Sequence, residues 1–498
     1  MSNKNVWTTY SQAQLKACDK FAEDYKKFLD NSKTEREAVE SIVNEVEAAG
    51  YRELNTLIGK KTKLKKGDKV YSVWMNKSII IFRMGSEPME AGLNILGAHI
   101  DSPRLDVKQN PLYEEGGYAY LDTHYYGGIK KYLYVTIPLA IHGVVIKKDG
   151  TIVQLSVGED EDDPVFFISD LLIHLSSEQM NKKASSVVEG EALDLVIGNR
   201  PFVIESSDEK EKKTSTKYSA GEQYAINLEK EEKKESAKLS GAVRRGIIAI
   251  LNDLYGIEED DFLSAELEIV PAGKARDAGF DRSMILGYGH DDRVCAYPSM
   301  RAILDAKDVK RTSCAILVDK EEIGSYGATG MQSRFFEKAV AELMALTKEG
   351  YNELSLRRCL ANSCMLSSDV SAAFDPNYPS VFEKKNTAYL GHGVAFNKYT
   401  GSRGKSGSND ANAEYIAEIR KIFDKDKIVF QTAELGKVDA GGGGTIAYML
   451  AKYGMNVIDS GLPVLNMHAP WEAISKADLY EALRGYISFI QNIDFRNE

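Results

Sequence analysis

Histidine and carboxylate side chains follow several apolar runs of this sequence, in positions where they could bind metal. The chain has only seven histidines, and two of them, His99 and His468, stand at the ends of the predicted strands LNILGA and LPVLNM. Neutral imidazole and carboxylate both bind zinc, and a catalytic site leaves one position open for water. The carboxylates in comparable places are Asp291 after LGYGH, Glu321 and Glu322 after AILVDK, and Asp369 after CMLSS.

These residue types are suited to a centre with two metal ions. Two histidines and three carboxylates suffice if one carboxylate bridges, and two zinc ions about 3.5–4 Å apart can hold a hydroxide and polarise a peptide carbonyl. The neighbours Glu321 and Glu322 can divide the work, one ligating metal and the other taking the proton of the water. Asp101 follows His99 by two residues and can accept its second ring N–H, which fixes the tautomer of a zinc-bound histidine.

Each of these features has a more ordinary explanation when it is taken alone. A histidine at the end of a strand is more often structural than a ligand, and an aspartate after a strand is more often a helix cap or turn residue. A pair of glutamates is commonly a solvated charge, and His-x-Asp is a common tripeptide. The combination of all these features is what favours a metal centre.

The elements around these residues predict that their side chains converge. After residue 285, apolar runs such as SCAILVD and CMLSSD alternate with helical patterns. This alternation predicts an α/β fold with a mixed, mainly parallel sheet flanked by helices. Residues 11–50 have helical spacing, with a capping box at Thr34–Glu37. Because ligands of open α/β sheets bind outside the carboxyl ends of the strands, we expect one cleft there.

The middle of the chain has a different texture and predicts an inserted domain. Gly116-Gly117, Gly127-Gly128 and Asp149-Gly150 separate β-rich runs between residue 107 and about residue 280. We therefore expect a catalytic domain made of residues 1–106 and 281–498, with a β-rich domain, 107–280, inserted in it. Within the insertion, residues 205–240 are dense in Glu, Lys and Ser, which predicts a solvated loop or exposed helix.

Composition excludes several classes of partner. The chain has 498 residues, with 63 basic against 74 acidic side chains and a net charge of -11. An acidic protein is poorly suited to nucleic acid or to an anionic membrane. The N-terminus lacks the apolar segment of a signal peptide, and no run approaches the ~20 apolar residues of a membrane span. Five cysteines without a CxxC pair favour reduced thiols in the cytosol, and make a cysteine-based zinc site improbable.

Several of these segments together resemble the M18 metalloaminopeptidases, the aspartyl aminopeptidase family. The resemblance rests on the order and spacing of GAHIDSPRLDVK, GHDDR, VDKEEIGS, SSDVSAAFDPNY and LNMHAPWE, and it also includes YLDTHYYGG, GSNDANAEYIAEI and DAGGGGTIA. It extends from about residue 10 to the end of the chain and is weak over 205–240.

The resemblance implies a role for each residue of the proposed centre. His99 and Asp369 would bind one zinc ion, Glu322 and His468 the other, and Asp291 would bridge the two. Glu321 would be the general base and later the acid, and Asp101 would orient His99. Family members assemble as tetrahedral dodecamers built from dimers, so the inserted domain is expected to help dimers form. The expected substrates are peptides with a free N-terminus.

The sequence also departs from part of the family. VSAAFDPNY lacks the additional histidines of the animal aspartyl enzymes, and GHDDR stands where those enzymes have an RLDN-type segment. The chain is therefore similar to the bacterial branch, and its preferred N-terminal residue stays open. The metals could be Co²⁺ or Mn²⁺ instead of Zn²⁺. Two other functions also remain: a carboxypeptidase or deacylase with two metals, and a catalytically idle assembly or cargo protein on the same scaffold.

Other polar residues have weaker claims on the site. Residues 397–402 could line the substrate pocket or form a plain surface loop, and His392 could reach the site. Asp439, with the glycines that follow it, could bind a carboxylate through backbone N–H groups or form a tight turn. His174 lies in the apolar run LLIHL, where a core or interface histidine is expected.

Overall fold

The computed structural model describes residues 4–201, 241–347, 351–401 and 404–496. The charged segment predicted at 205–240 lies outside these residues. The chain divides into two compact units, one made of residues 1–103 and 274–498 and the other of residues 104–273. The predicted division had its boundaries at 106/107 and 280/281. In the described ranges, no helix is both long enough and apolar enough to cross a bilayer.

The first unit has helices on both sides of its main sheet. Three of these helices begin with capping boxes: Ser11 with Gln14, the predicted Thr34 with Glu37, and Asn352 with Ser355. In each box the N-cap side-chain oxygen accepts an N–H that the first turn leaves unpaired. The helices in this unit are α1 Gln12–Asp30, α2 Glu35–Ala48, α3 Leu54–Gly59, α6 His290–Asp305, α7 Phe335–Thr347, α8 Glu353–Ala361, α9 Ala413–Asp426, α10 Ala447–Ala451 and α11 Lys476–Asn492.

The strands of the first unit form one large sheet and two small ones. They are β1 Arg52–Glu53, β2 Lys69–Trp74, β3 Ser78–Arg83, β4 Asn94–His99, β11 Arg276–Ala278, β12 Met284–Gly287, β13 Ser313–Val318, β14 Cys364–Ser367, β15 Ser371–Ala372, β16 Val394–Asn397, β17 Phe430–Thr432, β18 Asn456–Gly461, β19 Pro463–Val464 and β20 Glu472–Ser475. The large sheet has the order β1-β2-β3-β13-β4-β14-β18-β16-β17.

The centre of this sheet is parallel and buried on both faces. β13, β4, β14 and β18 run parallel, whereas β3 and β16 pair antiparallel with their neighbours at either side. Alternate residues of β4 enter different cores: Leu96 and Ala98 pack in one, and Ile95 packs in the other. The predicted α/β class with a mixed, mainly parallel sheet and flanking helices is confirmed. The central strands are mostly apolar, as expected for strands buried on both faces.

The second unit is built on an antiparallel sheet with its own apolar core. Its six strands have the order β8-β7-β10-β5-β6-β9. Its elements are β5 Arg104–Glu115, β6 Tyr118–Tyr126, β7 Leu139–Ile146, β8 Ile152–Val157, α4 Ser177–Met180, β9 Leu195–Gly198, α5 Ala242–Tyr255 and β10 Ala265–Pro271.

Candidate metal centre

Three neighbouring parallel strands bring part of the predicted site together. His99 is the last residue of β4, and it lies in register with Val318, the last residue of β13. A 3₁₀ turn begins three residues after Val318, and it carries Glu321 and Glu322. β14 also pairs with β4, and Asp369 comes two residues after its end. The carboxyl ends of β4, β13 and β14 therefore supply four of the predicted side chains at one edge of the sheet.

Asp291 and His468 reach the same place from outside the large sheet. Asp291 is at the start of α6, where it and Asp292 have non-helical backbone angles and a cis peptide bond joins them. His468 lies in a turn with a φ of +64°. The predicted strand LPVLNM was wrong beyond its start, since β19 has only Pro463 and Val464. The chain must reverse its direction between β19 and β20. Residues with a positive φ, Asn466 and His468, form this turn, which an extended strand could not make.

The two oxygens of Asp291 face two different histidines. Oδ1 lies 3.1 Å from Nε2 of His99, and Oδ2 lies 3.3 Å from Nε2 of His468. Nε2 of His99 also lies 3.9 Å from Oδ1 of Asp369. Nε2 of His468 also lies 3.5 Å from Oε2 of Glu322. Asp291 thus lies between a His99–Asp369 pair and a His468–Glu322 pair. All five residues that the sequence singled out as ligands are together.

Asp101 connects His99 to the turn that carries the two glutamates. Its Oδ1 lies 3.3 Å from Nδ1 of His99 and accepts the N–H of Glu321 at 3.2 Å. Its Oδ2 accepts the N–H of Glu322 at 3.2 Å. The backbone oxygen of Asp101 is also 3.0 Å from Nδ1 of His99. With Nδ1 directed at these acceptors, Nε2 is left to face the carboxylates.

The site also contains two acidic residues that sequence reasoning did not select. Glu472, on β20, accepts the N–H of Asp291 at 3.0 Å and the N–H of His468 at 2.8 Å, so one buried carboxylate holds both backbones. Asp292 accepts the N–H of His99 at 3.4 Å. Ligand atoms of His99, Asp292 and Asp369 lie within 4.8 Å of one another, as do those of His99, Asp291 and Glu322. Asp292 is thus an alternative ligand candidate beside Asp291.

Burial and mutual repulsion perturb the acids of this cluster. Burial raises the pKa of Glu321 to about 7, and the nearby charges of Asp101 and Asp291 add to the shift. Burial likewise raises the pKa of Glu322 and of Asp369 well above the usual range. Burial would also raise the pKa of Asp291. The two histidines that face this carboxylate outweigh burial, and they lower its pKa below the usual range.

His99 responds to the same field in the opposite sense. Its burial would lower the pKa of the imidazole, but Asp101 and Asp291 outweigh burial and raise that pKa well above 6.5. Carboxylates that stabilise a proton on His99 would also stabilise a metal cation in its place. The cluster is therefore a strongly negative environment for a bound cation.

The remaining candidates from the sequence make contacts of their own. His392 directs Nδ1 to the backbone oxygen of Leu390 at 3.0 Å and packs edge-on against Tyr389. His174 is exposed in a short 3₁₀ turn, which excludes the core alternative, and its place in an interface stays a prediction. Residues 399–401 and Asp439 line a cavity of about 210 Å³.

Comparison with known proteins finds close relatives over the whole chain. The family model for aminopeptidase I zinc metalloproteases (M18) matches residues 28–490. A probable M18 family aminopeptidase 1 of Clostridium acetobutylicum is 58% identical over 489 residues, which are 98% of this chain and 98% of the relative.

Solved structures show the same likeness. The crystal structure of the M18 aminopeptidase of Thermotoga maritima has a TM-score of 0.87 at 41% identity and covers 99% of this chain and 100% of that one. Aminopeptidase I of Clostridium acetobutylicum has a TM-score of 0.84 at 55% identity, over 99% of this chain and 100% of its own. The dodecamer of S. cerevisiae mApe1, at 19% identity and a TM-score of 0.71, shows the fold alone.

The fold class, the enzyme class and the resemblance seen in the sequence are thereby confirmed. The chain belongs to the M18 family of aminopeptidase zinc metalloproteases, as a member of bacterial type.

Proposed function

We propose that this aminopeptidase removes the first residue of peptides with two divalent metal ions held in the carboxylate cluster. His99 and Asp369 would hold one ion, and His468 and Glu322 the other, with Asp291 between them. The observation that carries the proposal is that each oxygen of Asp291 faces a different imidazole. A carboxylate so placed can bridge two cations.

The spacing of the cluster and one unpaired oxygen in it fit metal ligands. Ligands about 2.0–2.2 Å from a tetrahedral zinc ion stand about 3.3–3.6 Å apart. The four nitrogen–oxygen distances range from 3.1 to 3.9 Å. Among the described residues, Oε1 of Glu322 is buried without a hydrogen-bond partner. Buried oxygens of this kind need a cation or a donor. The family favours Zn²⁺, while Co²⁺ and Mn²⁺ suit the same donors.

The chain's own residues divide the remaining chemistry. When bound, two divalent ions supply Lewis acidity for the substrate carbonyl and lower the pKa of water. Glu321 takes the proton of the attacking water at its carboxylate and returns it to the departing amine. Asp101 positions Glu321 through the backbone N–H and holds the ring of His99.

Replacement of the proposed base tests this assignment. Glu321→Gln should reduce turnover by at least about 100-fold, the usual contribution of general acid–base catalysis, while bound metal measured by mass spectrometry stays near the wild-type level. Glu47→Gln is the matched control, since Glu47 accepts a hydroxyl from Tyr71 in the same unit. If Glu321→Gln kept most of its activity, the assignment of the base would be wrong.

The choice of substrate tests the aminopeptidase proposal separately. Peptides with a free N-terminus should be shortened from that end, and the same peptides with an acetylated N-terminus should not be cleaved. Cleavage of the acetylated peptides alone would instead indicate a deacylase, and release of C-terminal residues a carboxypeptidase.

We propose further that the chain forms a homo-oligomer through its second unit, as expected for the inserted domain. An apolar segment of that unit, Leu171–Leu175, is exposed, with Ile173 and Leu175 each 68% accessible. Exposed apolar patches commonly mark interaction surfaces, and a second copy of the chain is the proposed occupant. The dodecameric, tetrahedral arrangement and a cytosolic location remain predictions.

Light scattering on a charged variant tests this surface. Ile173→Asp should reduce the molar mass in solution, whereas Val438→Asp, at an exposed position in the other unit, should leave it unchanged. An unaltered mass for Ile173→Asp would contradict the proposed interface.

A further inference from the structure

A row of buried polar side chains crosses three adjacent strands next to the carboxylate cluster. Asp459 of β18 lies in register with Ser367 of β14 on one side and with Asn397 of β16 on the other. Residues paired directly on neighbouring strands point to the same face, and the strands are about 4.8 Å apart. Ser367, Asp459 and Asn397 therefore form a continuous line of side chains, called here the polar row.

The polar row carries acceptors without donors. Ser367, Asp459 and Asn397 are 0%, 3% and 5% exposed. The hydroxyl of Thr445 donates to Oδ1 of Asp459 at 2.5 Å. In the described part of the chain, Oδ2 of Asp459, Oδ1 of Asn397 and Oγ of Ser367 have no hydrogen-bond partner. An unsatisfied buried polar group costs about 1–3 kcal/mol, and three of them in one line are unusual for a purely structural feature.

The polar row adjoins the proposed metal ligands. Asp369 follows Ser367 by two residues, and the β18 backbone touches it: a Cβ on Gly461 would stand 1.6 Å from the backbone oxygen of Asp369. Burial raises the pKa of Asp459 to about 7, and the negative charge of Glu321 adds to that shift. Asp459 therefore lies within electrostatic reach of the proposed catalytic base.

These observations define the chemistry of a ligand. A carboxylate and an amide oxygen side by side, with a hydroxyl that can also accept, match a group with several N–H donors and a positive charge. We propose that the polar row receives an ammonium group from the first residue of the peptide substrate. The source is the α-ammonium or a cationic side chain such as that of lysine. This inference rests on the proposed aminopeptidase function and adds to it a determinant of which peptides bind.

Asp459→Asn tests the polar row with two substrates. Leucine and lysine reporter amides share the α-ammonium, but only the lysine amide has a second cation. If the α-ammonium is the source, KM should rise about tenfold or more for both substrates. If the side chain is the source, KM should rise for the lysine amide alone. Unchanged KM values for both substrates would overturn the inference.

A measurement of stability separates this role from a structural one. The asparagine keeps an oxygen for Thr445 and offers an N–H to Asn397, so Asp459→Asn should melt at or above the wild-type temperature. A purely structural Asp459 predicts a lower melting temperature with an unchanged KM, which would also overturn the inference. Asp426→Asn is the matched control, because Asp426 accepts a hydroxyl from Ser488 between α9 and α11.

A second variant keeps the test open if Asp459→Asn fails to fold. Asn397→Ala removes one acceptor and should raise the same KM values, by about threefold or more, while an unchanged KM would overturn the inference. Failure of the wild-type protein to hydrolyse any member of a panel of aminoacyl reporter amides, the leucine and lysine amides among them, would contradict the proposed function. If the wild type is active and both variants have unchanged KM values, only the proposed role of the polar row is contradicted, and the proposed aminopeptidase function stands.

Discussion

Replacement of Asp101 by asparagine separates the positioning of the base from the binding of metal. The carboxylate accepts the N–H groups of Glu321 and Glu322, one at each oxygen, and Oδ1 also faces Nδ1 of His99. Asparagine keeps one oxygen and turns an NH₂ group toward the other donor. One hydrogen bond to a charged group is lost, which costs about 1.5–3 kcal/mol. That free energy corresponds to about 10- to 150-fold in rate.

The structure also predicts which kinetic constant changes. The backbone oxygen of Asp101 is 3.0 Å from Nδ1 of His99, nearer than the carboxylate, and the substitution leaves it in place. The tautomer and orientation of His99 should therefore survive, whereas the turn that carries Glu321 loses an anchor. We expect kcat to fall by about 10-fold or more while metal affinity falls by less than that.

The assay is steady-state kinetics on a leucine reporter amide, with metal affinity from competition against a chelator. Asp163→Asn is the control, because Asp163 accepts three backbone N–H groups in the other unit, from Gly158, Glu159 and Asp160. If Asp101→Asn kept kcat within about twofold, Asp101 would not position the base. A fall in metal affinity with an unchanged kcat would refute the reasoning about the backbone oxygen.

Three further outcomes are expected. Chelation should abolish activity, and added Zn²⁺ should restore it. If the free metal had been at about 1,000 times its Kd, chelation should also lower the free energy of unfolding by about 4 kcal/mol. An unchanged melting temperature would contradict a metal bound only by the folded state. The five cysteines are buried, and burial raises the pKa of Cys18 and Cys359 to about 12, so Ellman's reagent should label them only in denaturant; rapid labelling of the native protein would refute this. Gly461→Ala should cost about 1–3 kcal/mol or more and reduce metal content, because its Cβ would overlap the backbone of Asp369. Gly59→Ala, with open space around the new Cβ, is the control for that loss, and similar effects of both variants would contradict the argument.

The part of the site that lies at strand ends could be predicted from sequence. A run such as LNILGAH favours a strand buried on both faces, and polar residues after several such runs are expected to meet where parallel strands end. His99, the Glu321–Glu322 pair and Asp369 follow this rule on β4, β13 and β14. The register of those strands then decides the distances, and register is a tertiary property that no local pattern specifies.

The other residues depended on backbone conformations that sequence patterns do not reveal. Asp291 begins a helix with non-helical angles, and His468 has a left-handed φ although it is not glycine. The left-handed conformation of His468 is unfavourable locally and persists because the surroundings impose it. Glu472 supplies that constraint by accepting both N–H groups. A signal for Glu472 existed, since this charged residue stands between the apolar residues Trp471 and Ala473, but nothing in the spacing identified its partners.

The charge of the cluster explains why local rules fail at this place. Burial and mutual repulsion raise the pKa of Glu321, Glu322, Asp292, Asp369 and Glu472, the last to about 8. Buried like charges destabilise a fold, so sequence selection for stability alone would remove them. Two histidines cannot neutralise five such acids and Asp291 as well, whereas two divalent ions supply four positive charges. Packing therefore does not account for the excess of acidic over basic side chains at this site, whereas the two proposed metal ions do.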